Sequence, residues 1–408
     1  MKLTFLTILI TTFLTISCGA EQSKSNNTNA DDIALFEKND KTKSERKKEK
    51  RIKLDDEIYG SRQNAITKAV GKAAPAVVGI NVTETKKVVY RDPFGDDLFG
   101  LFFRRYGGGR KVREYEVKGL GSGFIISPDG YILTNHHVAG NASKIIVTTT
   151  DGEEYEAEII GSDFTSDVAL LKIEGQDLPY LDFCESDDLM IGEWAIALGN
   201  PFGLFENNAK PTVTVGVVSN SGVSFVQNDQ DGVRVYPEMI QTDAAISSGN
   251  SGGPLVNALG EVIGMNTIIF STAVDRQGSG SIGIGFSIPA KRVLEIVDEI
   301  KSNGKVERDY YTGIEIRALN RRISRQLGLD TDDGIIIFGI NKNSPADLAG
   351  LDPGDLIVEI EGRKILDEED YLLSVMDRRT GDKIEFVILR GEERLVKELI
   401  LVKPPRRR

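Results

Sequence analysis

The chain of 408 residues has little of several residue types, and each shortage excludes a class of protein. It holds only two cysteines, Cys18 and Cys184, so a disulfide scaffold is excluded and the fold must rest on buried apolar area. Lys and Arg total 50 against 62 Asp and Glu, and a net charge of −12 argues against a nucleic-acid partner. After residue 17 no apolar run approaches the roughly 18 residues that cross a bilayer. We therefore expect a globular, water-soluble body.

The N-terminus carries an export signal. Met1-Lys2 is followed by apolar residues and threonines to residue 16, and then by Ser17-Cys18-Gly19. This end resembles a bacterial lipoprotein signal over residues 1–18, which implies lipidation of Cys18 and anchoring on the periplasmic side of the cell envelope. A retained helical anchor and simple secretion are the alternatives. If Cys18 is lipidated, Cys184 is left as a packed core thiol.

Residues 19–63 predict a disordered, charged tether, because apolar residues are too few to offset the entropy of ordering. Within it, Lys41–Lys53 carries eight basic residues and two acidic ones. This stretch is either a solvated spacer or a segment that rests on anionic lipid near the anchor.

The body divides into two units and a tail. Residues 64–303 begin with a short helix over Ala65–Ala73, continue with about a dozen short β-branched segments, and close with a helix over Ala290–Ser302. Strands at this spacing indicate antiparallel barrels or sandwiches. After a polar linker, residues 310–403 predict a small α+β unit, and residues 404–408 are a frayed tail. The predicted fold class is mainly β.

The most specific motif is Gly249–Pro254, with Ser251 at its centre. A serine hydroxyl is a weak nucleophile that needs a neighbouring base and donors for the oxyanion. Flanking glycines permit the tight bend that would aim the N–H groups of Gly249 and Ser251 at one point. A Gly/Ser-rich hairpin is the alternative for the motif taken alone.

The chain has two histidines, His136 and His137. We expect them at a strand end, where neighbours point to opposite faces, so only one can serve a given site and a zinc site is disfavoured. Asp167 lies at the mouth of an apolar strand, where a buried carboxylate can orient an imidazole. The order His, Asp, Ser is the order of the chymotrypsin type.

Together with Gly121–Phe124 and Gly283–Pro289, these motifs resemble the HtrA/Deg family of serine proteases over residues 65–403. The resemblance implies a chymotrypsin-like double β-barrel and one PDZ domain, with His137 as base, Asp167 as orienter and Ser251 as nucleophile. It leaves His136, which stands where relatives often have Asn, as a spectator. No metal or organic cofactor is implied.

Substrate preference is predicted from the position six residues before the nucleophile. An Asp there selects Lys or Arg in trypsin-like enzymes, whereas this chain has Ala245. With Ile246 and Ile269 as expected walls, the pocket is small and apolar and should accept small aliphatic residues, with loose discrimination.

Two further features resemble parts of that family. Val88–Val117 is a long insertion, predicted as a mobile loop, that resembles a regulatory loop contributing to assembly, and the relatives are usually trimers. The second unit resembles a PDZ domain, which binds C-terminal peptides by strand addition. Its matching parts are the loop Tyr311, Thr312 and Gly313, the strand from Ile314, and a helix containing Tyr371, Leu372 and Val375. A purely structural small domain is the alternative.

The sequence thus predicts an exported serine endopeptidase that cuts misfolded or regulatory envelope proteins and is gated by peptides at its PDZ domain. The partners implied are unfolded or regulatory proteins, C-terminal peptides, the membrane through a lipid anchor, and further copies of the chain in a homotrimer. A chaperone or peptide-binding adaptor with idle hydrolysis is the competing function.

Overall fold

The computed structural model describes residues 47–90, 111–185, 189–200, 210–229, 231–247, 249–269, 283–328 and 331–405. The chain falls into two units, Met1–Arg62 and Gln63–Arg408. The signal with Cys18, the tether up to residue 46, the centre of the predicted insertion and the last three residues of the tail lie outside the described residues.

In the first unit, residues 47–62 form helix α1, where the sequence predicts a disordered tether. The reason is local: Lys, Arg and Glu are good helix formers, and Glu49 precedes Lys53 by four residues, a spacing that favours a helix. Ile52, Leu54 and Ile58 are about half exposed on it. None of the helices in the described ranges has the length and apolar character needed to cross a bilayer.

The second unit opens with helix α2, Ala65–Ala73, as predicted. It begins after Asn64, whose side chain accepts a hydrogen bond of 2.9 Å from the Thr67 N–H. A 3-10 turn over Ala74–Ala76 follows and holds Pro75, which cannot continue the α-helix.

The first β-sheet has seven antiparallel strands in the order β5-β4-β1-β2-β3-β7-β6. They are β1 Val77–Tyr90, β2 Lys111–Ile125, β3 Tyr131–Thr134, β4 Lys144–Thr148, β5 Glu154–Glu156, β6 Glu158–Asp163 and β7 Val168–Lys172. Alternate residues such as Val78, Ile80 and Ile132 point into one fully buried core. Strands β1 and β2 pair as far as Tyr90 opposite Lys111, so the flanks of the predicted mobile loop are regular strands.

The second sheet closes into a six-stranded barrel. Its members are β8 Trp194–Gly199, β9 Thr212–Asp229, β10 Gly232–Thr242, β11 Pro254–Val256, β12 Val262–Ile269 and β13 Gly285–Pro289. Ala197, Ile240 and Leu255 fill its interior. Helix α3, His136–Ala139, lies between β3 and β4, and helix α4, Ala290–Asn303, follows β13. The predicted mainly-β class is confirmed.

The C-terminal part of this unit has a sheet in the order β14-β15-β16-β18-β19, with β17 beside β16. Its elements are β14 Ile314–Ala318, α5 Arg321–Leu327, β15 Ile335–Ile340, α6 Pro345–Leu348, β16 Leu356–Ile360, β17 Arg363–Lys364, α7 Glu368–Val375, β18 Lys383–Arg390 and β19 Glu393–Ile400. Strand β14 is at one edge, which leaves a backbone edge for a further strand.

Ion pairs join the linker before β14 to the first β-sheet and to the C-terminal part of the unit. The Arg308 guanidinium lies 2.9 Å from the carboxylate of Asp163 at the end of β6 and 2.7 Å from that of Asp377, just after α7. Arg292 of α4 also pairs with Asp377. Burial alone would raise the pKa of Asp377, but the two guanidinium groups outweigh it and hold that pKa well below its ordinary value.

Candidate active site

The two histidines lie on the one-turn helix α3, not on a strand end as predicted. The helix forms because the Asn135 carbonyl accepts hydrogen bonds from the N–H groups of Val138 and Ala139. His136 is buried with its ring edge-on to Phe164, at 5.3 Å between centroids. His137 is one third exposed and reaches Asp167. Of the two histidine rings, only that of His137 therefore contacts the Asp167 carboxylate, as predicted, but the reason is the geometry of a helix and not that of a strand end.

His137 and Asp167 are held together twice. Nδ1 of His137 lies 2.8 Å from Oδ2 of Asp167, and the His137 backbone N–H donates to Oδ1 at 2.9 Å. Asp167 is fully buried and has a left-handed backbone, with φ of 60°. Asp tolerates this conformation better than most residues. The imidazole is thus fixed by a carboxylate that itself has little freedom.

Three further side chains donate to the Asp167 carboxylate. Arg234 Nη1 lies 2.8 Å from Oδ1, Thr267 Oγ1 lies 2.7 Å from Oδ2, and the Tyr236 hydroxyl lies 3.3 Å from Oδ2. Burial raises the pKa of Asp167, but His137, Arg234 and the Thr267 hydrogen bond together bring it below its ordinary value. The sequence reasoning missed all three donors, because no local motif marks them.

Ser251 lies in the turn before β11 and is almost completely buried. Its hydroxyl donates a 3.0 Å hydrogen bond to the backbone carbonyl of Thr267, whose own hydroxyl donates to Asp167. Ser251 and Asp167 are therefore both joined to Thr267 on strand β12. A Cβ at Gly252, where φ is 83°, would lie 2.2 Å from the Ser122 carbonyl oxygen, so only glycine fits after the serine.

The turn around Ser251 is tied to the Gly121–Phe124 motif. Ser122 donates its N–H to the Ser251 carbonyl at 3.0 Å and its hydroxyl to the Gly249 carbonyl at 2.5 Å. The same hydroxyl accepts from the Asn200 N–H at 2.6 Å. Within the described residues, the N–H groups of Gly249 and Ser251 donate no hydrogen bond. These are the two donors that the sequence assigns to an oxyanion.

The predicted pocket residues differ in their placement. Ala245 is exposed, and its carbonyl accepts a 2.7 Å hydrogen bond from the Thr214 hydroxyl. Ile246 is fully buried in the core of the six-stranded barrel, so it is not an exposed wall of the predicted pocket. The side chain of Ile269 lies outside the described residues. Asp243 accepts from the Val217 N–H at 2.7 Å and so has a structural partner.

The predicted peptide groove follows the free edge of β14. Ile314 and Leu372 are partly buried side chains at the margin of the C-terminal core, whereas Tyr371 and Val375 belong to that core. In the preceding loop, the Tyr311 N–H donates to the Val402 carbonyl at 2.8 Å, so this part of the loop is fixed.

The other two loop residues are placed by contacts with the segment around α6. The Thr312 carbonyl accepts from the Ala346 N–H at 3.1 Å. A Cβ at Gly313, where φ is 78°, would meet Ser344 at 2.1 Å, which explains a glycine there.

Comparison with known proteins agrees with this architecture. Residues 121–265 match a trypsin-like peptidase domain and residues 311–401 match a PDZ domain. A probable periplasmic serine endoprotease, DegP-like, of Ectopseudomonas mendocina is 39% identical over 80% of this chain and 68% of its own length. The putative serine protease HhoB of Synechocystis is 40% identical over 81% of this chain and 77% of its own length.

The chain belongs to the HtrA family of serine proteases. Among solved structures, the HtrA-type protease AlgW with decapeptide has a TM-score of 0.61 and 38% identity over 83% of this chain and 99% of that chain. A serine endoprotease from Yersinia pestis has a TM-score of 0.55 and 30% identity. This HtrA protease is a serine endopeptidase with one PDZ domain.

Proposed function

We propose that this HtrA protease cuts peptide bonds with Ser251 as nucleophile, His137 as general base, Asp167 as orienter, and the N–H groups of Gly249 and Ser251 as oxyanion donors. The observation that carries the proposal is the 2.8 Å contact between His137 and the buried Asp167, with Ser251 joined to the same carboxylate through Thr267.

The geometry supports a definite division of labour. Because Nδ1 of His137 donates to Asp167, Nε2 is the nitrogen left to accept a proton. The Ser251 hydroxyl donates to the Thr267 carbonyl, so this hydrogen bond must break before Oγ can give its proton to Nε2. Oγ then bonds to the scissile carbonyl carbon, its proton passes to Nε2, and the same proton later goes to the leaving amine as the C–N bond breaks.

Replacing Ser251 by Ala tests this function. We expect cleavage of an unfolded protein to fall by at least about a thousandfold, because attack depends on the hydroxyl. Ser221→Ala, on the exposed part of β9, is the matched control and should retain wild-type cleavage. If Ser251→Ala still clears unfolded protein at the wild-type rate, the chaperone or adaptor function replaces proteolysis.

We further propose that PDZ-bound C-terminal peptides gate the protease. Support comes from contacts between α7 and the β9–β10 hairpin: the Glu369 carboxylate accepts from the Val226 N–H at 3.0 Å. The neighbouring Phe225 packs against Tyr236, which contacts Asp167. Peptides ending in an apolar residue should raise the cleavage rate, and equal rates with and without them would contradict gating.

The substrates that we propose are unfolded or regulatory proteins of the cell envelope, cut after small aliphatic residues. The periplasmic names of several relatives and the exposed Ala245 in place of an acidic residue support this. Matched peptides with Val or Lys at the cleavage site provide the test, and a faster rate with Lys would refute the preference.

We also propose lipid anchoring at Cys18, because residues 1–18 resemble a lipoprotein signal, and assembly as a homotrimer, which the family resemblance implies. Labelled palmitate should be incorporated by the wild-type chain and not by Cys18→Ser. Sedimentation of the mature protein should give three times the protomer mass.

A further inference from the structure

Arg234 occupies an unusual position for a cation. It lies near the start of β10 with its side chain 7% exposed, and Nη1 is 2.8 Å from Oδ1 of Asp167. The guanidinium also stacks over the Phe164 ring at 4.6 Å from its centroid, and Phe164 packs on His136. A charged side chain is rarely buried to this extent without a specific partner, and here the partner is the carboxylate that holds the proposed base.

The carboxylate thereby faces two groups that can carry positive charge, Arg234 on one oxygen and His137 on both. In a Ser-His-Asp mechanism, the buried carboxylate stabilises the imidazolium that forms as the serine proton is taken. A permanent positive charge on the same carboxylate offsets part of that stabilisation, since charges in a buried site are weakly screened.

The other groups around the carboxylate do not cancel this effect. His136, on the same helix as His137, is buried, and burial lowers its pKa, which favours the neutral ring. On β10, burial raises the pKa of Tyr236, so its phenol stays neutral. Asp163 of β6 already pairs with Arg308. Arg234 is therefore the cation that acts on the Asp167–His137 pair.

We propose that Arg234 is a positioning residue that holds the Asp167 carboxylate and, by its charge, opposes the protonated form of His137, so that the protease keeps a working base at a lower pH than it would without this arginine. This inference rests on the proposed roles of Asp167 and His137 and adds a residue that acts through them. It also gives the β9–β10 hairpin, which carries Arg234, an electrostatic influence on the reaction.

The test compares pH profiles of kcat/KM for an unfolded or peptide substrate. In Arg234→Met the charge is lost and most of the volume is kept, and we expect the acid limb to move up by about one pH unit. On that limb, activity relative to the plateau then falls about tenfold. Arg234→Lys keeps the charge and should restore the wild-type limb to within about 0.3 pH unit, even if its plateau is lower.

Tyr236→Phe is the matched control, because it removes a neutral hydrogen-bond donor from the same carboxylate and the same strand. It should change the plateau without moving the acid limb. If Arg234→Met does not fold, Arg234→Gln gives the same comparison, since it keeps a donor without the charge. Coincident limbs for wild type and the neutral variant, or an equal shift in Arg234→Lys, would overturn the proposal. Neither result touches the proposed protease function, which fails only if Ser251→Ala remains active.

Discussion

Thr267 has two separate contacts at the active site. Its hydroxyl donates to Asp167 and its carbonyl accepts from Ser251. The side chain is buried, so the hydroxyl cannot exchange its partner for bulk water. A variant that changes only the hydroxyl therefore removes the hydrogen bond to Asp167 and keeps the carbonyl that accepts from Ser251.

We expect Thr267→Val to lower kcat/KM by about tenfold, equivalent to about 1.4 kcal/mol of transition-state stabilisation, because Asp167 loses one hydrogen bond while the shape is kept. Thr267→Ser, which keeps the hydroxyl, should stay within about threefold of wild type. Steady-state cleavage of a peptide substrate measures both. Equal losses in the two variants would contradict a role for the hydroxyl.

At this scale, the sequence predicts the placement of His137, Asp167 and Ser251 because each belongs to a short motif with its own local geometry. It does not predict Arg234 or Thr267, which lie 67 and 100 residues from Asp167 and meet it only in the folded chain. Ile246 was misplaced for a related reason. An apolar side chain near the nucleophile fits a pocket wall and a barrel core equally well, and its sequence spacing does not distinguish them.

The β9–β10 hairpin contacts both the PDZ domain and the Asp167 carboxylate. Val226 on β9, which donates to Glu369 of α7, lies opposite Val235 on β10. The residues on either side of Val235 are Arg234 and Tyr236, and both contact Asp167. A shift of α7 can therefore reach the carboxylate across a single strand pair.

Glu369→Ala should reduce the stimulation by PDZ-binding peptides by about fivefold, the equivalent of one exposed hydrogen bond of about 1 kcal/mol. Basal cleavage should change by less than about twofold, since neither the triad nor the turn at Ser251 is altered. The measurement is the ratio of cleavage rates with and without peptide.

Glu368→Ala is the matched control on the same turn of α7, at an exposed residue. It should leave the stimulation ratio unchanged. A normal ratio in Glu369→Ala would show that the signal does not pass through the hairpin.

Elements with strong local patterns were predicted well, including helices α2 and α4. The hairpin's β10 strand was missed, although Asp231-Gly232 is a turn signal, because polar residues on both sides obscure the alternation that marks a strand. The missed strand β19, Glu393–Ile400, has the same difficulty, since charged residues stand on both of its faces. The histidine helix was missed because one turn is too short to show a helical period.

At the scale of the whole molecule, Arg308 and Arg292 join the protease body to the PDZ domain through Asp377. A carboxyl whose pKa is lowered by folding contributes stability above its unfolded value, near 4, and loses that contribution as the pH falls toward its folded value. Asp377 and Asp167 are both in this class.

We therefore expect the free energy of unfolding to fall between pH 5 and pH 3, and to fall less steeply in Asp377→Asn. Urea unfolding followed by circular dichroism at several pH values measures it. Asp298→Asn, at an exposed position on α4, should keep the wild-type slope. Parallel slopes for Asp377→Asn and wild type would show that this carboxylate does not link pH to stability.

The hydrogen bond from Ser251 to a main-chain carbonyl has a consequence for unwanted cleavage of neighbouring proteins. A protease that is exported among half-folded neighbours, and among copies of itself, risks indiscriminate digestion. If Ser251 is the nucleophile, as we propose, its proton is engaged by the backbone, and the hydroxyl is a poor nucleophile until that hydrogen bond breaks. On that mechanism, a chain that binds beside the serine and breaks this hydrogen bond promotes its own cleavage.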